Sequence, residues 1–304
     1  MNMQQKIPVT IITGFLGAGK TTFINNLLQK YSNTQFVLVE NEFGDVSIDT
    51  KLIKGVDASQ MFELKEGCIC CSISDEYELV LQELADRFHN VDHLLIETTG
   101  IADPASVIRP FFADENLKEI YQYNGTVCLV DAINFGNKVE QEISLKQLVT
   151  ADLIVINKVE NLSESDKHNF QKEIQQINYF ADIIFTHLAD TKEIQLNSIV
   201  KKLRSEFDFV RLSSGHNHIQ SKLLTFNIGL NKAEFIRWLS YTLYIYKNQI
   251  YRTKGILCFE NEPYEYILQG IGGRFEITEG DLNLGEVKSE VVFIGKLEGL
   301  NLEF

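Results

Sequence analysis

The sequence predicts an α/β protein with a mostly parallel sheet, followed by a smaller α+β domain at the carboxyl end, and three observations carry that prediction. Short apolar, β-branched runs alternate with helical patterns through the first part of the chain, the signature of a parallel sheet with helices on both faces. Several of those runs end in a carboxylate or a glycine turn, where ligands bind in open α/β sheets. From about Ser205 the alternation stops, and one aromatic-rich helix is followed by strands separated by turn glycines. With 304 residues the chain is long for a single core. We expect a first domain over 1–204, a small, polar linker over 205–221 and a second domain over 222–304.

The first element is a buried strand, Ile7 to Thr13. It delivers Gly14-Phe15-Leu16-Gly17-Ala18-Gly19-Lys20-Thr21-Thr22 to the start of an amphipathic helix, Lys20 to Tyr31. Glycines there let backbone N–H groups approach phosphate oxygens, the helix N-terminus is positive, and Lys20 adds a mobile cation. The Thr21 hydroxyl suits Mg²⁺. A strand, a loop and a helix in that order predict a P-loop nucleotide triphosphatase. Gly14, Gly17, Ala18, Gly19, Lys20, Thr21 and Thr22 are its expected phosphate contacts.

Phe36 to Val39 reads as the next buried strand and leads into Glu40-Asn41-Glu42-Phe43-Gly44-Asp45, a loop suited to sensing a cation or else a solvated acidic turn. Met61 to Lys65 reads as a short strand running into Gly67 and Cys68-Ile69-Cys70-Cys71. Leu79, Val80, Leu84 and Phe88 lie at helical spacing within a predicted helix from Asp75 to Phe88. Val91 to Ile96 is a strand closed by Glu97-Thr98-Thr99-Gly100. A carboxylate there can hold Mg²⁺, and the Gly100 N–H can meet a terminal phosphate. Pro104 sits where a helix would begin. Gly125 to Asp131 and Ala151 to Ile156 repeat the strand pattern, the second ending in Asn157-Lys158-Val159-Glu160. Ser163 opens a helix to about Asn178, and Asp182 to His187 is the last strand of the series. Farther on, a helix is expected over Lys232 to Tyr246, with strands over Gly255 to Phe259, Tyr264 to Gly270, Arg274 to Thr278 and Val291 to Gly295.

Composition narrows the partners. The formal net charge is −14, with no basic run, so nucleic acid and anionic membrane are poor partners. No apolar run approaches the roughly 20 residues of a membrane helix, and Met1 to Lys6 is polar; a cytoplasmic protein is expected. Three of the five cysteines crowd into one segment, which speaks for metal or redox chemistry in a reducing compartment rather than a disulfide scaffold. Cys128 and Cys258 read as small buried hydrophobes. On an extended segment Cys68 and Cys70 project to one side and Cys71 to the other, so only a turn lets all three meet one ion. Thiolates favour Zn²⁺ or Cu(I), and Glu40, Glu42, a histidine or water could complete a tetrahedral site that can release its metal. A permanently held structural zinc and a metal-free reactive thiol cluster are the competing readings.

The segments Gly14–Thr22, Glu40–Gly44, Gly67–Cys71, Glu97–Gly100 and Asn157–Lys158 together resemble the CobW/YjiA-type GTPases, a metallochaperone family related to UreG and HypB. The likeness extends into the second domain through Arg252–Leu257, Gly270–Gly273 and Val292–Gly295. The resemblance implies GTP hydrolysis coupled to handling of a transition metal, zinc or in some members cobalt or nickel, for delivery to a client metalloprotein. It also implies GTP and Mg²⁺ as ligands, with Asn157, Lys158 and the carboxylate at 160 reading guanine. Two departures stand out. The family pattern has aspartate where this chain has Glu160, one methylene longer. Long histidine tracts are reduced to His216 and His218, either a linker accident or a small metal store.

We expect Lys20, Glu97 and Gly100 to serve phosphoryl chemistry, with no glutamine or arginine finger evident and hence slow intrinsic hydrolysis. The loop of Glu40 to Asp45 and the segment Gly67 to Ser72 would form one nucleotide-controlled unit. The second domain is expected to face a client or a second copy of the chain. Other classes compatible with the residues are a small-molecule or nucleotide kinase with a structural cysteine cluster, and a zinc or redox sensor built on Cys70 and Cys71.

Overall fold

The computed structural model describes residues 6–41, 61–63, 74–87, 91–135, 142–196, 199 and 219–304. The chain divides into two compact units, Met1–Val200 and Lys201–Phe304. The first holds strands β1 (Ile7–Gly14), β2 (Phe36–Asn41), β3 (Met61–Glu63), β4 (His93–Thr98), β5 (Tyr121–Asp131), β6 (Leu153–Asn157) and β7 (Asp182–Thr186). They form a seven-stranded sheet in the order β3-β2-β4-β1-β5-β6-β7. Every pairing in it is parallel. Strands β4 and β6 are buried along their whole length and mostly apolar, as a sheet covered on both faces requires. Because β4 and β5 flank β1 on opposite sides, the strand order reverses at β1. The crevice beyond its carboxyl end is therefore the position where such sheets bind ligands.

Helices α1 (Lys20–Lys30), α2 (Ser74–Arg87), α3 (Pro104–Ile108), α4 (Pro110–Ala113), α5 (Glu115–Ile120), α6 (Glu142–Thr150) and α7 (Glu164–Ile177) connect the strands. Their starts follow local chemistry. Asp103 accepts from the Ala105 N–H ahead of Pro104, and Ser163 and Asp166 form a reciprocal capping box. Helices α4, α5 and α6 were not foreseen, because each is too short for apolar spacing to stand out. Strand β5 begins four residues before the predicted Gly125: Tyr121 is buried and donates to the Leu81 carbonyl at 2.8 Å, anchoring a polar stretch that pattern alone reads as loop.

The second unit is a five-stranded antiparallel sheet, β8 (Gln220–Phe226), β9 (Ile250–Cys258), β10 (Tyr264–Ile271), β11 (Arg274–Leu282) and β12 (Ser289–Gly295), ordered β11-β10-β9-β12-β8. Helix α8 (Lys232–Ile245), capped by Asn231, lays Phe235, Leu239 and Leu243 against Leu257, Leu268, Val291 and Phe293. Trp238 belongs to that packing and donates to the Glu303 carbonyl at 2.7 Å, whereas Tyr241 and Tyr244 are exposed. Arg252 and Lys254 are buried. Strand β8 alternates too weakly to be read from sequence; pairing with β12 defines it.

Candidate functional site

Strand β1 ends at Gly14, where φ is 138° and a Cβ would sit 2.2 Å from the Leu129 carbonyl oxygen of the neighbouring strand. Only glycine lets the chain turn there. The Phe15 N–H then bonds the Leu129 carbonyl at 3.1 Å, and the Ala18 N–H returns to the Phe15 carbonyl at 3.1 Å, closing the loop. Gly19 caps α1 in a left-handed conformation, φ 100°, and no side chain occupies the cap, so the helix's first N–H groups point at the loop's interior. Lys20 folds back with Nζ 3.3 Å from the Gly14 carbonyl. Thr21 is half-buried, while Gly17 and Thr22 are exposed.

Glu97 is buried at the carboxyl end of β4, in register with Ile12 of β1, and the Thr98 hydroxyl donates to Thr13 at 2.9 Å. The ends of β1 and β4 are thereby fastened side by side. At Gly100 a Cβ would lie 2.8 Å from the Leu16 Cα, so this turn presses directly on the glycine loop. Helix α6 holds it from behind: the Gln147 amide reaches the Gly100 and Ala102 carbonyls, each at 3.3 Å, and Lys146 pairs with Asp103 at 2.9 Å. Neither α6 residue carries a motif, and only the tertiary packing identifies them.

At the other end of the crevice, Asn157 is a structural bridge. Its Nδ2 donates to the Ala18 carbonyl at 2.9 Å and its Oδ1 accepts the Ala189 N–H at 2.9 Å. Lys158, at φ 64°, extends to Asp131 with Nζ 2.8 Å from Oδ2. Burial alone would raise the Asp131 pKa, but hydrogen bonds from Lys158, Asn134 and the Ile133 N–H outweigh it and hold the carboxyl below its ordinary range. Asp131 was legible only as a carboxylate ending a strand; register opposite Asn157 gives it a role. Glu160 bonds His187, which follows β7 directly. Beyond it Leu188 and Ala189 are left-handed, at φ 51° and 54°. Asn26 of α1 secures that turn by donating to the Leu188 carbonyl at 2.9 Å and the Ala189 carbonyl at 3.0 Å, and Lys30 caps the carbonyls of Thr191, Lys192 and Ile194. The helix that begins at the phosphate loop thus carries the Asn157–Ala189 end of the crevice on its last turns.

Of the predicted metal ligands, Glu40 falls in β2, its backbone in register with Glu97 on one side and Glu63 on the other. Cys68, Cys70, Cys71 and Glu42 lie outside the described residues, as do His216 and His218. Cys128 and Cys258 are buried, and burial pushes the Cys128 thiol up to about 12, so it is inert at neutral pH. No helix among the described residues is long and apolar enough to cross a membrane.

A buried strand, a glycine loop and a helix carrying a lysine at its first position, with a carboxylate on the adjacent strand end, define a P-loop nucleotide-binding protein. Residues 8–185 match the CobW/HypB/UreG nucleotide-binding domain and residues 219–303 the cobalamin synthesis protein cobW C-terminal domain; the chain belongs to this family of GTP-binding proteins. It is 34% identical over 304 residues to the zinc chaperone YjiA of Escherichia coli, covering 95% of this chain and 94% of that one. It is 28% identical to the zinc-regulated GTPase metalloprotein activator 1 of Saccharomyces cerevisiae, covering 96% and 81%. The structure resembles Zn(II)-bound YjiA GTPase from E. coli with a TM-score of 0.66 and 25% identity, over 96% of this chain and 95% of that chain. A YjiA triple mutant with one glutamate and two cysteines changed to alanine is likewise Zn(II)-bound and matches with the same TM-score of 0.66.

Proposed function

We propose that this chain is a cytoplasmic GTP-hydrolysing metallochaperone that couples nucleotide turnover to its grip on a transition metal, zinc before cobalt or nickel, and passes that metal to a client protein. The observation that carries the reading is the continuity of the crevice. The glycine loop carries Lys20 and abuts Gly100, Asn157 joins that loop to the Ala189 N–H, and α1 supports this far end, where Lys158 and Glu160 stand, through Asn26. The connections leaving β2 and β3, which include Glu42, Cys68, Cys70 and Cys71, start from the same edge of the parallel sheet as Glu97.

In this mechanism Gly14, Gly17, Ala18, Gly19 and Thr22 offer backbone and hydroxyl groups to the phosphates, and Lys20 neutralises charge on the transferring phosphoryl group. The Thr21 hydroxyl and the buried Glu97 carboxylate are hard oxygen donors that fit Mg²⁺, which when bound offsets phosphate charge. Gly100 presents its N–H to the terminal phosphate, and Gln147 holds the peptide that follows. Glu40, Glu42, Cys68, Cys70 and Cys71 hold the zinc cargo, and loss of the terminal phosphate loosens that set. The second unit, with Tyr241 and Tyr244 exposed on α8, serves the client or a second copy of the chain.

Zinc titrations of the protein loaded with GDP or with a non-hydrolysable GTP analogue test the coupling. A coupling energy of about 1–3 kcal/mol predicts zinc affinities differing by roughly 5- to 150-fold, and zinc must change nucleotide affinity by the same factor. Because zinc still binds the YjiA triple mutant, the nucleotide-dependent part of the isotherm is the quantity to follow, and changing Cys68, Cys70 and Cys71 to alanine should abolish it. Superimposable isotherms in the two nucleotide states would refute the reading.

A further inference from the structure

The base end of the crevice poses a chemical problem. A carboxylate that reads guanine must present one oxygen to the N1–H and the other to the 2-amino group, in the plane of the base. A glutamate has one more rotatable bond than an aspartate with which to miss that geometry, and fixing it costs entropy when the base arrives. The structure holds a device suited to removing that cost. His187 follows Thr186, the register partner of Asn157, and its Nδ1 meets Glu160 Oε1. Since a carboxylate only accepts, the imidazole donates. A carboxylate oxygen has two lone pairs, so Oε1 can accept from His187 and from a base together.

Two features argue that the pair serves recognition rather than stability. Both side chains are substantially exposed, 56% for His187 and 39% for Glu160, and exposed polar pairs contribute little to folding. Yet the backbone around them is held in costly conformations: Lys158, Leu188 and Ala189 are all left-handed without being glycine, and such strain gathers where geometry is used. Hydrogen bonds from Asn26 to the carbonyls of Leu188 and Ala189, and from the Ala189 N–H to Asn157, hold the turn in that shape.

We propose that His187 is a specificity-determining positioning residue, whose hydrogen bond to Glu160 pre-orients the longer carboxylate for the guanine edge and so lets this chain do with glutamate what the family does with aspartate. This rests on Glu160 being the base reader of the proposed function.

The test measures affinities of GDP, IDP, which lacks the 2-amino group, and ADP by displacement of a ribose-labelled fluorescent GDP from the full-length protein. His187→Ala is expected to weaken GDP about tenfold, equivalent to about 1.4 kcal/mol, while ADP binding is unchanged and the GDP-to-IDP preference falls severalfold. In a Glu160→Asp background the same His187→Ala change should alter that preference less than about twofold, because the shorter carboxylate needs no guide. Uniform weakening of GDP, IDP and ADP by His187→Ala would assign the histidine to loop structure and overturn the proposal, as would an equal loss of preference in the Asp background. Glu160→Ala separates the two layers. If it abolishes the GDP-to-IDP preference while His187→Ala leaves it intact, only the histidine's role fails; if it leaves the preference intact, Glu160 is not the reader and both fail.

Discussion

Replacing Asn157 by alanine should both destabilise the first unit and disconnect the two ends of its crevice. The side chain is buried, at 4% exposure, and its two hydrogen bonds, each 2.9 Å, go to a carbonyl and an N–H of alanines that are themselves fully buried. Truncation leaves both buried backbone groups without that partner, at about 1–3 kcal/mol each. The sum, about 4 kcal/mol, should lower the melting temperature by roughly 10 °C for a unit of this size. Differential scanning fluorimetry of the full chain measures it, the relevant transition being the one that added GDP raises. GDP affinity should fall at least about tenfold, because the loop after β7 is no longer held to the glycine loop before the ligand arrives. Asn157→Asp is the diagnostic companion. It keeps the acceptor for the Ala189 N–H but sets an oxygen against the Ala18 carbonyl, so it should retain the loop after β7 while loosening the glycine loop. A fall of less than about 3 °C with unchanged GDP affinity for Asn157→Ala would refute the bridging argument.

Two further perturbations address other parts of the same unit. Gly100→Ala places a Cβ 2.8 Å from the Leu16 Cα, so one of the two turns must shift; affinity for a GTP analogue should fall at least about tenfold more than affinity for GDP, and equal losses would remove Gly100 from contact with the terminal phosphate. His93 is buried against Phe36 with Nε2 2.8 Å from the Thr10 hydroxyl, and burial lowers its pKa to about 4. Its folded pKa lies below the roughly 6.5 of an unfolded chain, so its contribution to stability is complete above that value and is lost as pH falls toward 4. Between about pH 7 and pH 5 this group should cost the fold about 2 kcal/mol, a slope that urea titrations should find in the native protein and missing from His93→Gln.

The order of strands and helices in the first unit and the phosphate loop were legible because they depend on local chemistry: β-branched runs, a glycine loop, a proline or serine at a helix start. Glu97 could be named for the same reason, closing an apolar strand, whereas Asn157 was named through the family resemblance. What pattern could not supply was everything set by parallel register. It brings Asp131 opposite Asn157 and His187 to Glu160, the second pair 27 residues apart, and packing then sets α6 behind Gly100. Those partners carry no motif, since any carboxylate, imidazole or amide can stand on a sheet edge.

The amino-acid sequence by itself determined that the chain would build a parallel sheet with a phosphate cradle at one edge, because hydrophobic period, glycine freedom and helix polarity act over a few neighbouring residues. Tertiary structure alone decided how rigidly the Asn157–Ala189 end of the crevice is joined to that cradle. The bonds from Asn26, Lys30 and Asn157 form only once β6, β7 and α1 have packed together and brought distant backbone groups within 3 Å or so of those side chains.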